Sequence, residues 1–374
     1  EPRCLGDGAD TGGIPEPTVT VRMGARNNFM DQHRALTRHD ADDASLMGRA
    51  VVVAQTARLR ARPNPWVGAV VVCADGREFV GATSEPGGPH AEIVAMDVAR
   101  AAGADLSGAV LATTLEPCSH HGRTGPCADA IVAAGIARAI VGVEDPDSHV
   151  AGRGIATLRA AGIDVTTGVM EGEVREQLAP YLHHRTTGRP WVVLKMAATL
   201  DGKTVAPAGR RWITGEDARR RVHELRAESD AILVGNGTVV ADDPELTVRH
   251  VDGPSPRRIV LSHRGSIRDD AKVHPCTVWE RGIPELLDEL GASGTVQLMV
   301  EGGPTVAESF RSAGLVNRYV LHMAPVVSGD PDAPGMFAGT PAAPHTLSDN
   351  RLVSATVLGQ DIELILEPTK ETAA

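Results

Sequence analysis

Aromatic side chains are scarce in these 374 residues, at 3 % of the chain. No stretch interleaves them with basic residues, so a stacking groove for nucleic acid has little to be built from. A basic excess is missing too: Lys+Arg 37 against Asp+Glu 48 leaves a net charge of −11. Phosphate neutralisation supplies most nucleic-acid affinity, so a small-molecule substrate is expected and no nucleic acid. Long apolar runs are absent; Val67–Val72 stops well short of a bilayer's thickness, and no membrane partner is expected. The opening residues show no basic, apolar, small-residue signal pattern. The five cysteines (Cys4, Cys73, Cys118, Cys127, Cys276) are odd in number and lack framework spacing, which fits a reducing cytoplasm. What is plentiful is turn chemistry, with Gly 40 and Pro 25, and the length suits two or three domains.

Residues 1–42 are rich in Gly, Asp, Pro, Asn and Arg without periodicity and read as a disordered leader. Order is expected from Asp43, a candidate N-cap, with a helix whose apolar face includes Leu46, Ala50, Val53 and Ala54. Arg62-Pro63-Asn64-Pro65 forces a turn before the strand Val67–Val72. Alternating strands and helices continue to Thr166, so 43–170 reads as one α/β domain. Residues 171–189 read as a helix plus connector, with His183 and His184 a solvated helix end. A second α/β unit occupies 190–374, with no internal repeat linking the halves.

Within the first unit, His90-Ala91-Glu92 is followed by Pro117-Cys118, eight residues and Cys127. One histidine and two cysteines are donors that tetrahedral zinc prefers, and three protein ligands leave a fourth position for water. Such a water loses its proton near neutral pH. Glu92 is too close to His90 in sequence for a comfortable fourth ligand, and is placed to carry a proton between that water and a leaving amine. His-x-Glu with a later Pro-Cys-x-x-Cys marks zinc nucleobase deaminases; here the cysteines stand farther apart. Taken singly, these residues are a helix start with a solvated carboxylate and two small buried hydrophobes. Together they fall around helix N-termini, at Glu92–Ala102 and Ala128–Ala134, where the dipole favours thiolate.

In the second unit two strands run into glycine: Gly235-Asn236-Gly237-Thr238 and Glu301-Gly302-Gly303-Pro304-Thr305. Neither is the G-x-G-x-x-G fingerprint, and each alone is a tight turn. Two such crossings at strand ends of one open sheet suit a dinucleotide, whose phosphates a helix N-terminus accepts. Lys195 sits among apolar strand residues, where a cation needs a partner or a purpose.

With both halves read, the chain resembles the bifunctional deaminase/reductase family of riboflavin biosynthesis. The resemblance rests on Pro63-Asn64-Pro65-Trp66-Val67-Gly68, His90-Ala91-Glu92 and the run Thr114 to Cys127 with its wider cysteine gap. It extends through Asp145-Pro146, Gly152-Arg153-Gly154, Leu200-Asp201-Gly202-Lys203, Trp212-Ile213-Thr214, Gly237-Thr238, Ala241-Asp242-Asp243-Pro244 and Glu301-Gly302-Gly303-Pro304. It implies a cytidine-deaminase-like three-layer domain with one zinc, then a dihydrofolate-reductase-like α/β domain using NADPH. The first would deaminate a phosphorylated diaminopyrimidinone ribosylamine and the second would reduce ribosyl to ribityl. The resemblance assigns the metal to His90, Cys118 and Cys127 and catalysis to Glu92 and Lys195. It lines the NADPH site with Ala197, Thr204, Trp212, Thr238, Asp242, Gly302, Gly303, Pro304, Thr305 and Val306, with Ser262 or Arg264 near the 2′-phosphate. Substrate would meet Asn64, Arg226, Leu246, Arg249 and Glu301. A homo-oligomer is also expected.

The chain departs from the family in three places. Arg210 stands where relatives carry a substrate-holding serine, in a loop one residue short, and is assigned to the substrate as well. Gly81–Glu85 lacks an aromatic-His pair, and residues 1–42 have no counterpart. A paralogue acting on a related pyrimidine, or with one half silent, is the alternative; a base-modifying nucleic-acid module is the alternative from another class.

Overall fold

Two β-sheets organise the chain. The structure, a computed structural model, describes residues 20–21, 38–119, 125–147, 150–206, 209–263, 265, 267–338 and 349–369. A short β1 (Thr20–Val21) precedes the first unit of α1 (Arg38–Ala54), β2 (Gly68–Val72), β3 (Glu78–Ala82), α2 (Ala91–Ala101), β4 (Val110–Leu115), α3 (Cys127–Ala133), β5 (Arg138–Val143), α4 (Arg153–Ala160) and β6 (Asp164–Thr167). Its sheet has the order β3-β2-β4-β5-β6, with β4, β5 and β6 parallel and β2 antiparallel to both neighbours.

Two glycines set the layers. A Cβ on Gly68 would lie 2.0 Å from the Ala50 carbonyl oxygen, so α1 rests directly on that face of β2. Gly81 pairs with Ala69 and therefore points to the opposite face, where a Cβ would lie 2.3 Å from the Ala91 carbonyl oxygen of α2. Helices thus cover both faces, with α3 and α4 beside α2. Met47 of α1 and Met96 of α2 are fully buried against the sheet. Truncating either to Ala would cost about 2–5 kcal/mol.

Two expectations for the N-terminal region need correction. The helix begins at Arg38, and Asp43 is no cap: it lies inside α1, buried, and binds Arg138 of β5 through two bonds of 2.7 and 2.6 Å. That ion pair ties the first turns of α1 to the sheet, so the helix runs through it. Within the stretch read as a leader, Thr20 and Val21 pair antiparallel with Thr356 and Ala355.

The connector is two helices, α5 (Glu171–Gln177) and α6 (Ala179–Thr187), closed by Gly188 at φ 73°. A Cβ on Gly142 of β5 would meet both Met47 and Val174, which places α5 on the α1 face. The paired histidines are not a solvated helix end. His184 is buried with Nε2 3.1 Å from the Gly291 carbonyl oxygen, and His183 packs edge-on against Trp191. The second unit supplies those partners, and no local pattern announces them.

The second sheet contains β7 (Trp191–Thr199), β8 (Ala231–Gly235), β9 (Arg257–Leu261), β10 (Thr277–Trp279), β11 (Gln297–Val300), β12 (Arg318–Ala324), β13 (Asn350–Leu358) and β14 (Asp361–Pro368). Its order is β1-β13-β14-β12-β7-β11-β8-β9-β10, parallel from β12 through β10 and antiparallel beyond. Strand parity divides the core. Leu194, Met196, Leu233, Leu298 and Val300 face α9 (Ile283–Ala292) and α10 (Pro304–Ser312). Val193, Ile232, Val234, Met299 and Val320 face α7 (Glu216–Glu228), so Lys195 lies on the α7 face. Gly235-Asn236-Gly237-Thr238 is not a plain turn but opens α8 (Asn236–Asp242). Among the described residues no helix is long and apolar enough to cross a membrane.

Candidate active sites

His90 sits at the N-cap of α2, Cys118 follows β4, and Cys127 is the first residue of α3. Their donor atoms lie within 4.8 Å of one another. His90 Nδ1 is 3.6 Å from Cys118 Sγ and 3.2 Å from Cys127 Sγ. A tetrahedral zinc with ordinary bond lengths spaces a nitrogen and a sulfur donor by about 3.6 Å, so the three residues fit that ion. Cys127 N–H donates to Cys118 Sγ at 3.3 Å. The Cys127 thiol beside it, then the His90 ring and that N–H, favour the Cys118 thiolate, while the contact with Cys118 and burial push the Cys127 thiol up. Glu92 is buried in the first turn of α2, and burial pushes its carboxyl up to about 7.

Glu116 has no assigned role in the motif reading, yet it anchors the cysteine loop. It is buried and accepts four backbone N–H groups, from Asp145 (3.1 Å), Gly152 (3.0 Å), Gly154 (2.9 Å) and Ile155 (3.2 Å). A Cβ on Gly154 would lie 1.9 Å from the Pro117 carbonyl oxygen, so the α4 N-terminus and the Pro117-Cys118 turn touch backbone to backbone. The signal was a carboxylate between a buried strand and Pro-Cys. Residues 120–124 of the motif lie outside the described residues. Asn64 is half-buried in a loop that lines a cleft shared by both halves, with Arg62, Trp66, Tyr181, Glu228 and Asp230.

The second site gathers at the carboxyl ends of β7, β8 and β11. Glu301 follows β11 and binds Arg226 of α7 through two bonds of 2.7 and 2.8 Å. Arg226 also donates to the Thr247 carbonyl oxygen at 3.1 Å. Burial alone would raise the Glu301 carboxyl, but Arg226 and Lys195 outweigh it and hold it below its usual value. Burial lowers the Lys195 ammonium, with Glu301 opposing. Leu246 is buried at φ 54°, and the Arg249 N–H donates to His223 Nδ1 at 3.1 Å. Burial and the surrounding Arg226, His250 and Arg249 push His223 down to about 4, so it accepts that bond as a neutral ring.

The glycine crossings meet. Gly235 N–H donates to the Gly302 carbonyl oxygen, Gly303 N–H donates to Thr238 Oγ1 at 2.9 Å, and a Cβ on Gly235 would lie 2.8 Å from Val306. Pro304 and Thr305 form the first turn of α10. Ala197, two residues beyond Lys195 on β7, shares its face. The remaining assigned residues are spread around this centre. Thr204 Oγ1 donates to the Pro334 carbonyl oxygen, and Asp242 is exposed at the end of α8. Trp212 is 53 % exposed between Arg211 and Arg219, at 5.1 and 5.7 Å. Arg210 is exposed, and its side chain bonds no other described residue. Ser262 is buried, its hydroxyl without a partner among the described residues; Arg264 lies outside them.

Comparison with known proteins agrees with this two-site geometry. Residues 40–143 match the cytidine and deoxycytidylate deaminase zinc-binding region, and residues 190–364 match the RibD C-terminal domain. The riboflavin biosynthesis protein RibD of Chlamydia pneumoniae is 38% identical over 86% of this chain and 94% of its own. That of Escherichia coli is 40% identical over 79% and 90%. The solved structure of Acinetobacter baumannii RibD has a TM-score of 0.81 at 33% identity, covering 88% of this chain and 100% of that one. The deaminase/reductase from Thermotoga maritima gives 0.78 at 32%, with the same coverage. The chain therefore belongs to the RibD family of bifunctional riboflavin-biosynthesis enzymes, with a zinc-dependent deaminase in its first half and an NADPH-dependent reductase in its second.

Proposed function

We propose that the first half removes the 2-amino group of 2,5-diamino-6-ribosylamino-4(3H)-pyrimidinone 5′-phosphate, and that the second reduces the ribosyl of the product to ribityl. The observation that carries the first step is the His90, Cys118 and Cys127 donor set beside the buried Glu92. Zinc held by these three residues would supply a water that gives up its proton near neutral pH, the nucleophile for C2. Glu92 takes the proton from the attacking water and hands it to the leaving amine, so ammonia departs as the oxo group forms. Asn64 holds the pyrimidine.

In the second half Arg226, Leu246, Arg249 and Glu301 hold the substrate. NADPH held beside them would supply a hydride for the anomeric carbon; the carbon–oxygen bond of the sugar ring breaks, and its oxygen takes up a proton to become a hydroxyl. The Arg226–Glu301 pair, with Lys195 half-buried on the α7 face of the sheet, supports this reading. Lys195 places a positive charge where the ring oxygen gains electron density. Gly302, Gly303, Pro304, Thr305 and Val306 with Thr238 cradle the cofactor, and Ala197, Thr204, Trp212 and Asp242 complete its surroundings. The unpartnered Ser262 hydroxyl suits the 2′-phosphate. Arg210 reaches the substrate phosphate.

The domains divide at 43–170 and 190–374, with 171–189 as connector. Cytoplasmic residence is supported by Cys73 and Cys276, which stand as unpaired thiols among the described residues and outside the metal site. A homo-oligomer of this chain is supported by Leu352, Val357 and Ile362, exposed together on one face of β13 and β14. Mass analysis of products tests the central reading. Zinc-loaded protein should exchange an amine for oxygen without NADPH and add two hydrogens only with it. Recovery of unchanged diaminopyrimidinone would overturn it.

A further inference from the structure

An α-helix ends in carbonyls without intrahelical partners, and its dipole favours a cation there. α7 ends at Glu228, with Ser229 in extended backbone after it. The cation that meets this end comes from the other half of the molecule. Arg62, in the loop before β2, donates from Nη1 to the Ala227 carbonyl at 3.2 Å and to the Ser229 carbonyl. Its Nε lies 3.4 Å from Asp230 Oδ1. Arg58 adds an ion pair to Glu228 and stacks over Trp66 at 5.2 Å. The Arg62 side chain is only 15% exposed. A guanidinium withdrawn that far from water is strongly committed to the groups it bonds.

Those groups lead into the reductase site by two routes. Ala227 directly follows Arg226, whose own carbonyl accepts the Ser229 N–H at 3.1 Å and whose guanidinium grips Glu301. Asp230 takes Arg62 on one oxygen and, on the other, the N–H groups of Val296 (2.7 Å) and Gln297 (3.0 Å). Gln297 opens β11 with Val296 just before it, and Glu301 follows its far end. One side chain thus bonds the end of the helix that carries Arg226 and, through Asp230, the root of the strand that carries Glu301.

We propose that Arg62 is a positioning residue for the reductase: capping α7 from the deaminase half, it holds Arg226 and Glu301 in register for the substrate. The proposal rests on the reading that this pair holds the substrate. Displacing a binding group by about 1 Å from a remote site is enough to cost on the order of 10²-fold in rate.

The test uses the full-length, zinc-loaded enzyme and its variants R62Q, D230N, R226K and R62Q/R226K. Reductase kcat and KM are measured with the deaminated ribosylamine phosphate, and NADPH Kd by fluorescence. R62Q should raise KM about fivefold or more while NADPH Kd moves less than about twofold. R62Q and R226K should be non-additive in kcat/KM, because each spoils the same contact. A merely structural cap would lower Tm and leave KM unmoved, and its effect would add to that of R226K; either result overturns the proposal. Should R62Q fail to fold, D230N keeps an oxygen for Val296 and Gln297 while turning an amide toward Arg62. It should show the same rise in KM, and a wild-type KM there overturns the proposal. An unchanged KM in R226K itself removes the substrate-site reading and the proposal with it, a result distinct from failure at Arg62 alone.

Discussion

The zinc site and the reductase site are built on opposite plans. The first draws its donors from one continuous stretch, His90 to Cys127, with two helix starts and a strand end folded over a buried Glu116. The second, as proposed, takes Lys195 from β7, Arg226 from α7 and Glu301 from beyond β11, so its parts meet only when a six-strand parallel array is assembled. Metal donors identify themselves by element and spacing. An arginine and a glutamate far apart in sequence carry no such mark until they bind each other.

The sharpest break between the two comes from Glu92→Gln. Deamination should fall about 10²–10⁴-fold, since a proton carrier is lost and no ligand is. Zinc content and NADPH oxidation with the deaminated substrate should stay near wild type. Chelation extends the contrast, abolishing deamination and leaving the reductase running. Loss of NADPH oxidation on metal removal, with deaminated substrate supplied, would erase the two-site distinction.

Lys195→Met tests the other side. It replaces a half-buried ammonium with an apolar chain of similar length, and reductase kcat/KM should drop on the order of 10²-fold with deamination unaffected. The pH dependence of stability carries a second signature. Burial holds the folded-state pKa of Lys195 below the usual lysine range, so the unfolded chain binds this proton more tightly. Its charged form therefore destabilises the fold below the lowered value, and stability recovers as pH rises from there toward the ordinary lysine pKa. Lys195→Met should raise Tm at neutral pH and flatten that recovery. A variant with normal NADPH oxidation, or a lower Tm, contradicts the assignment.

How far each site could be read from residues alone follows from the same contrast. His90, Glu92, Cys118 and Cys127 fall out of donor chemistry and helical periodicity, and the structure brings the three metal donors together beside Glu92. The strand Val67–Val72 was legible as an apolar run, within one residue of the observed β2. Arg226, Leu246 and Arg249 were reachable only through resemblance, because nothing local tells a helix arginine that grips Glu301 from one that is solvated. α8 was hidden because glycine density argues for a turn, and the packing of Val306 against Gly235 is tertiary. Asp43 looked like a cap because its partner, Arg138, stands on a distant strand.

Glu116→Gln sharpens the local plan at smaller scale. The carboxylate accepts two N–H groups on each oxygen, and an amide must turn its NH₂ toward one pair. The Pro117-Cys118 turn would shift, and zinc affinity should fall about 10–100-fold, as for other groups that orient ligands. Competitive chelator titration measures it; unchanged affinity would mean that Cys118 is held by its own backbone.

The smallest effect is expected at Arg210, where the family resemblance implies a serine. A serine there offers one neutral hydrogen bond, worth about 0.5–1.5 kcal/mol net. Arginine cannot occupy the same pocket, and the structure leaves it exposed with no described side-chain partner, beside Arg211 and Trp212. From that position it is free to reach a phosphate with two charge-assisted bonds. Exposure and salt weaken such a contact, so Arg210→Ala should lower reductase kcat/KM about tenfold or somewhat less, roughly 1.4 kcal/mol at most. The loss should appear in KM, grow at low ionic strength and vanish with the dephosphorylated substrate. The retention of Lys195, Arg226, Asp242, Arg249 and Glu301 argues for a working site, since a decayed one would have lost some of them. If Arg210→Ser creates or greatly increases reductase activity, the arginine is an obstruction and the second half has drifted toward another substrate.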